Sequence, residues 1–447
     1  RKNILLNQNN MNLRILIYLN PSNINKITHE FNLNQDSGFV MVTSAIDELN
    51  KISKFHFYLL IPNYNFEWNP PKNVTLIKYP YINDALNSRY HFDSVFLNNV
   101  FNNYRHDIDL CWTMLPELVG NFKAFFSKRR EEIPVFCYAN WLQNTNTSYE
   151  PSYKLRTIEG AIDCNAFGYQ SDYMLQYMKD NLFINFEIDY NKFYKITPKT
   201  DAIDISQNEI NQKIVFNHRI STESNFEKMF SLISTELKLK LWVTNINNGK
   251  TIKDTRIEYR SIKSRKEYFN ELKKCRFGIS YHTDYSMWSM SVLDLMSCGK
   301  VVLVPKCNSF IEMFGEQYKY FFENENEFIE KFNQLQNCND GELVLWGAYN
   351  FERVENNYTW SVLGKQLNEL FISLVTKKKT EKTISVLNVI NKYGIISKQQ
   401  IINKGLSDYG RICTRAWNKT RIELMRDHEI KDDINNSETV FFSYNSK

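Results

Sequence analysis

Apolar residues fall into short runs separated by longer amphipathic stretches. Residues 13–19, Leu-Arg-Ile-Leu-Ile-Tyr-Leu, form such a run. A run apolar on both faces fits a strand buried within a parallel sheet. A polar loop follows, and Gly38 opens a helix expected over Phe39 to Leu49. Further strands are expected at Phe55 to Ile61, ended by Pro62-Asn63, at Val74 to Tyr79, within 107–112, and at Pro134 to Tyr138. Strand and helix alternating in this way predict a doubly wound α/β sheet.

Residues 197–212 are polar and irregular and read as a linker, after which the pattern restarts. Strands are expected at Lys213 to Asn217, Lys240 to Thr244, Phe277 to Tyr281 and Val301 to Val304. Helices are expected at Asn225 to Leu237, Arg265 to Lys274 and Ser289 to Cys298. Leu363, Leu367, Leu370, Phe371 and Leu374 share one face of a long helix expected over Asn357 to Val375. Thr376 to Lys382 has no apolar period and reads as a second linker. Beyond it, helices are expected at Ile384 to Tyr393, at Lys398 to Asn403 with Ser397 as N-cap, and at Thr414 to Asp427. Val440 to Tyr444 alternates like a strand. Three helices and a hairpin match a winged helix-turn-helix plan. The expected units are residues 11–196, 213–375 and 383–447.

Composition adds three points. The chain has 447 residues, of which 43% are hydrophobic, ample for large cores. No stretch approaches the roughly 20 apolar residues that cross a bilayer, and the polar start, Arg1 to Asn10, has no secretory pattern. Met11 has the look of a natural start. The eight cysteines form no CxxC pair, so reduced, buried thiols in a cytoplasmic protein are expected, without metal or disulfides. Net charge is +5, yet residues 376–447 hold 14 Lys and Arg against 8 Asp and Glu. The basic character is therefore local to that end.

The strongest chemical signal runs from Trp288 to Glu312, where a polar loop leads into a helix that Gly299 ends. A buried strand and a loop closing on a carboxylate follow. The start of such a helix offers backbone N–H groups and a partial positive charge, which suit a diphosphate. Trp288, Ser289 and Met290 stand at that start. One turn on, Asp294 is placed to accept the hydroxyls of a ribose. The segment resembles the donor-binding signature of GT-B glycosyltransferases, which in the large retaining group reads as a Glu, a Gly-rich loop, then Glu-Ala-Met-Ala-Cys-Gly-Lys-Pro-Val. Leu293-Asp294-Leu-Met-Ser-Cys-Gly299-Lys-Val-Val carries the likeness. Asp294 stands for the family's second Glu, while the first falls at Ser286, with Asp284 the nearest carboxylate.

Asn217-His218-Arg219 follows a strand at the opening of the second half. It resembles the Asn-His-Arg opening of C-terminal domains in GT-B enzymes, notably the tRNA-queuosine mannosyltransferase group. The resemblance implies that Arg219 contacts the departing diphosphate, with Lys300 or Lys306 as possible helpers, because Ser224 stands where the family has Lys. His218 reads either as a packing histidine or as a direct participant. His282 ends a strand at the edge where open α/β sheets bind ligands; it reads as a donor contact or as a loop cap. Glu312 is assigned to the base side of the donor. Gly38, Asn140 and Trp141 are the acceptor-side candidates, each with a purely structural alternative. Glycosyl transfer with retention needs positioning and leaving-group stabilisation more than an acid–base pair, and no catalytic dyad is evident.

In the C-terminal unit, Arg415, Lys419, Arg421 and Arg426 would be the cations of a recognition helix. Lys377, Lys378 and Lys379 would add phosphate contacts. The combined expectation is a GT-B enzyme of two Rossmann-like domains facing a cleft, with a winged-helix tail. It uses a nucleotide-sugar, UDP-sugar favoured, and no tightly bound cofactor. It resembles the phage enzymes that glucosylate hydroxymethylated DNA bases, which implies host cytoplasm if the chain is phage-encoded. The rivals are a transferase acting on tRNA, protein or surface glycan, and a regulator that senses a nucleotide without turning it over.

Overall fold

The computed structural model describes residues 12–19, 36–80 except 64, 65 and 67, 92–104, 108–129, 132–139, and 151–393. Within the last range 202, 207–209, 212, 221–223, 246–250, 263 and 283–287 are excepted. Backbone alone is described at 396–397, 431–436 and 439–443.

The first half alternates β1 (Leu13–Tyr18), α1 (Ser37–Ile52), β2 (Phe55–Pro62), β3 (Val74–Tyr79), α2 (Ser94–Tyr104), β4 (Leu110–Thr113), α3 (Val119–Lys128), β5 (Val135–Tyr138), α4 (Pro151–Asp163), β6 (Ala166–Tyr169), α5 (Asp172–Asn181) and β7 (Phe193–Lys195). Its seven strands lie in the order β3-β2-β1-β4-β5-β6-β7, all parallel. The second half holds β8 (Lys213–Arg219), α6 (Phe226–Ile233), β9 (Lys240–Asn245), β10 (Ile257–Tyr259), α7 (Arg265–Lys274), β11 (Phe277–Ile279), α8 (Met290–Ser297), β12 (Val301–Pro305), α9 (Asn308–Phe314), β13 (Phe321–Phe322), α10 (Glu325–Asn337) and α11 (Asp340–Asn357). Its six parallel strands lie in the order β10-β9-β8-β11-β12-β13. Each sheet begins at a central strand and reverses direction between its first and fourth strands, β1/β4 and β8/β11. Such a switch point opens a crevice at the carboxyl ends of the strands.

Local chemistry starts the helices where it should. Asp36, Ser171, Ser264 and Ser289 are N-caps whose side chains accept from Phe39, Met174, Glu267 and Val292 N–H groups. The inner strands are buried on both faces, as β5 and β6 show in full, whereas the edge strands β7 and β10 are only partly covered. One core serves the second half, while two cores lie on opposite faces of the first sheet.

The last helix, α12 (Trp360–Tyr393), crosses back onto the first half. Leu363, Leu367, Leu370, Phe371 and Leu374 are all buried there, in the core that contains β1, β2 and α1. Gly364 lets the two helices touch: a Cβ on it would stand 2.6 Å from Cβ of Glu48.

Several elements escaped the sequence pattern, including α3, α4, β6, α5, β7, β10, β13, α10 and α11. Two expectations are corrected. Thr376 to Lys382 is no linker but an inner part of α12, because Lys and Thr continue a helix once packing has begun it. The loop expected after β12 is the helix α9, which contains Glu312. At the C-terminus, β14 (Ile396–Ser397), β15 (Lys431–Asn436) and β16 (Thr439–Ser443) form a small antiparallel sheet ordered β14-β16-β15. Ser397 is thus in a strand, and the helices expected at 398–403 and 414–427 lie outside the described residues. Among the described residues no helix is long and apolar enough to cross a membrane.

Candidate functional site

The carboxyl edge of the second sheet gathers Asn217, His218, His282 and the segment Trp288 to Met290. Asn217, near the end of β8, is buried and donates to the Ser291 carbonyl at 2.7 Å and to the Tyr268 hydroxyl at 2.9 Å. It thereby fastens the first turn of α8 to β8 and α7. His218 follows on β8, and His282 comes just after β11. Because β8 and β11 flank the switch point, the two rings meet edge to face, centroids 4.4 Å apart. The Ser280 hydroxyl stands 3.0 Å from His282 Nδ1.

Burial pushes the His218 imidazole well below its usual value, and the neighbouring His282 adds to the shift. His218 is therefore neutral at pH 7, with one ring nitrogen donating and the other accepting. Its Nε2 is buried and lacks a hydrogen-bond partner, as do Asn217 Oδ1 and Trp288 Nε1. An orphaned buried polar atom costs about 1–3 kcal/mol, so three on adjoining segments mark a place organised for something other than stability.

The α8 helix begins beside them. Ser289 caps it, its hydroxyl oxygen accepting from Val292 N–H at 3.2 Å. The N–H groups of Met290 and Ser291 head the helix at its positive end. Trp288 is half-buried and packs edge to face on Tyr358, centroids 5.4 Å apart. Met290 packs against the core of the first half. Gly299, at φ +63°, closes the helix in the left-handed conformation.

Two carboxylates assigned to the donor, Asp294 and Glu312, have protein partners in this structure. Asp294 is 6% exposed, and Thr200 donates to its Oδ1 at 2.6 Å while Arg265 Nη2 approaches the same oxygen at 3.3 Å. Both contacts fall on Oδ1, so one carboxylate oxygen ties α8 to Thr200 and to α7. Burial raises its pKa, and Arg265 and Thr200 oppose that rise. Glu312 reaches across to the first half: one oxygen lies 2.6 Å from Lys195 Nζ and the other accepts from the Asp172 N–H at 2.9 Å. It joins the halves and is not free at the base side.

Arg219 ends β8 opposite Asn245, and its side chain lies outside the described residues. Gly38 is buried in the first turn of α1, beside the cap Asp36. Lys300 is buried at the amino end of β12, the edge away from the histidine pair, and Lys306 is held by Glu323. Lys377 is exposed on α12. Asn140, Trp141, Arg415, Lys419, Arg421 and Arg426, and the side chains of Lys378 and Lys379, lie outside the described residues.

Sequence reasoning missed the residues that join the halves: Lys195, Lys199, Thr200, Asp201 and Arg265. Lys199 is buried, donates to the Asn357 carbonyl at 2.7 Å, and is lowered to about 7 by burial and by Lys195. Lys199, Thr200 and Asp201 sit in a polar segment with no periodicity, and their partners Asn357, Asp294 and Arg265 are 64 to 158 positions away, so no local signal existed. Among the described residues no group of three or more His, Cys, Asp or Glu stands together as a metal cluster.

No protein-family model matches the sequence, and no curated protein matches it by sequence. Solved structures do match in fold. Sucrose-phosphate synthase from Thermosynechococcus elongatus shares 9% identity, with TM-score 0.64 over 82% of this chain and 100% of that one. HepE of Anabaena, in complex with UDP-glucose, shares 9% identity, with TM-score 0.59 over 81% and 100%. WaaG, a glycosyltransferase involved in lipopolysaccharide biosynthesis, shares 10%, with TM-score 0.57 over 80% and 99%. The two parallel sheets with interleaved helices are the GT-B arrangement.

Proposed function

We propose that this chain is a glycosyltransferase that takes a UDP-sugar at the carboxyl edge of the second sheet. The observation that carries the reading is the meeting of the capped α8 helix start with His218 and His282 at the β8/β11 switch point. A helix start suits the diphosphate, and Arg219, closing β8 at the same edge, is the candidate to stabilise it as it leaves. A neutral His218 suits a sugar hydroxyl or a phosphate oxygen, because it hydrogen-bonds without carrying charge. The fold neighbour that holds UDP-glucose supports the choice of donor. Titration calorimetry with UDP and UDP-glucose tests this reading. Absence of binding to both, with binding to neither GDP nor ADP, would sink it.

The acceptor is proposed on separate grounds. The excess of Lys and Arg in residues 376–447 supports a nucleic acid, and we place DNA carrying hydroxymethylated bases first. A base reached by chemistry has to leave its stack and enter the cleft. Incubation with labelled UDP-glucose and plain or hydroxymethylated duplex DNA, with tRNA alongside, decides it. Label in tRNA or in neither, with donor hydrolysis intact, removes the DNA reading and leaves the donor reading standing.

A further inference from the structure

The chain passes between the halves twice, outward near residues 196–201 and back at 358–360. The two passages run side by side: Thr200 N–H donates to the Tyr358 carbonyl at 2.9 Å, and Thr200 pairs with Thr359 in a parallel bridge. Two side chains of this crossing, Thr200 and Asp201, tie it to the second half. The Thr200 hydroxyl, fully buried, donates to Asp294 at 2.6 Å. Arg265, the first residue of α7, places Nε 2.5 Å from Asp201 and Nη2 3.3 Å from Asp294, and its guanidinium lies 4.7 Å from the Phe269 ring centre. Trp360, opening α12, donates its indole N–H to Asp201 at 3.0 Å. Asp294 is therefore where α8 and α7 meet the outward passage, and Thr200 and Asp201 carry the link on to the return passage.

Thr200 and Arg265 share one oxygen of this buried carboxylate, Oδ1, so its orientation is set by groups of the crossing and of α7 before any ligand arrives. We propose that Asp294 is a positioning residue: it fixes the donor helix to both passages, so that the angle between the halves and the occupancy of the helix start are coupled. The coupling needs no change in α8 itself, because the helix, Thr200 and Asp201 already form one hydrogen-bonded body. Any movement of one half relative to the other is then felt along α8, whose first turn is held by Asn217 at the Ser291 carbonyl and packs Met290 against the core of the first half.

The structural part of this proposal stands without any ligand, and only its second arm rests on the UDP-sugar reading. The first arm measures distances by pulsed EPR between labels carried on unnatural amino acids at the exposed positions Asp180 and Glu330, one on each half. Thr200→Val is expected to broaden the distance distribution, while Thr200→Ser, which keeps the hydroxyl, restores it. Unchanged widths in Thr200→Val and Asp294→Asn would overturn the proposal even if UDP binds normally. The second arm uses UDP and 2′,3′-dideoxy-UDP as probes. Thr200→Val and Asp294→Asn are expected to weaken UDP by about tenfold, the scale of one charge-assisted hydrogen bond. Removing the ribose hydroxyls should weaken binding by the same factor in wild type and in Asp294→Asn. If that factor vanishes in Asp294→Asn, Asp294 is a ribose ligand and the positioning role is wrong. If wild type binds no UDP at all, the donor reading fails while the EPR result still decides the coupling.

Discussion

Gly347→Ala tests how the donor helix is held. Gly347 lies on α11 where that helix crosses the end of α8, and a Cβ there would stand 2.0 Å from the Gly299 carbonyl oxygen and 2.9 Å from its carbon. Carbon contacts sit at about 3.5 Å, so more than an ångström of separation has to open. Neither side can yield easily. Gly299 is fixed at φ +63°, with its N–H on the Met296 carbonyl at 2.9 Å and the Lys300 N–H on Leu295 at 3.0 Å. On the other side, Asn350 of the same α11 donates to the Lys300 carbonyl at 2.9 Å. The added methyl therefore strains the turn or breaks that bond. Overpacking of this kind costs roughly 1–3 kcal/mol, and the lost bond adds about 1 kcal/mol. A loss near 3 kcal/mol lowers Tm by about 6–12 °C in a unit of this size. Gly120→Ala is the control, because a Cβ at that exposed helical position meets nothing within 4 Å. It should stabilise by up to about 1 kcal/mol through helix propensity. Calorimetry and urea denaturation read both. A Gly347→Ala protein with a Tm within about 1 °C of wild type would refute the packing of α11 on α8.

Three further outcomes are expected. Phe371→Ala leaves a void among Trp112, Phe136 and the strands beneath them, where the rings lie 5.8 and 5.6 Å away, and should cost about 3–5 kcal/mol in urea denaturation; a cost below about 1 kcal/mol would mean that α12 does not pack on the first half. Lys199 is lowered to about 7 from 10.5 by burial and by Lys195. Its folded value lies below its unfolded one, so the unfolded chain takes up the proton first as pH falls; the stability is full above about pH 10, is lost progressively down to about pH 7, and is flat below. Lys199→Met removes that slope, and its advantage over wild type should shrink by up to about 3 kcal/mol between about pH 7 and 9.5; parallel curves for the two proteins would refute the burial argument. Glu312→Gln removes a partly exposed ion pair between the halves and should cost at most about 1 kcal/mol, a difference that fades in 1 M salt; a penalty independent of salt would show that the charge does not act there.

The apolar runs determined β1 to β5 of the first sheet and β8, β9, β11 and β12 of the second, because a buried parallel strand has to be apolar on both faces; the short strands β6, β7, β10 and β13 carried too little pattern to show. The helix start at Ser289 and the stop at Gly299 were legible for a local reason, since their partners are three residues away, whereas the cap expected at Ser397 falls in a strand. The return helix announced its buried face through Leu363, Leu367 and Phe371, but not the half on which that face settles. The sequence placed Asp294 and Glu312 at ligand-facing positions, since family spacing reports where a residue sits along the chain and not which way its carboxylate is drawn. Only the tertiary structure decided that Thr200 and Arg265 claim Asp294, and that Lys195 and the α5 start claim Glu312. It also brought His218 and His282 into contact, which no reading of one segment reveals, because strand order across the switch point sets that contact. Hydrophobic periodicity is a local property of the chain. Long-range polar pairing is settled by which buried charges lie within reach once the sheets have formed.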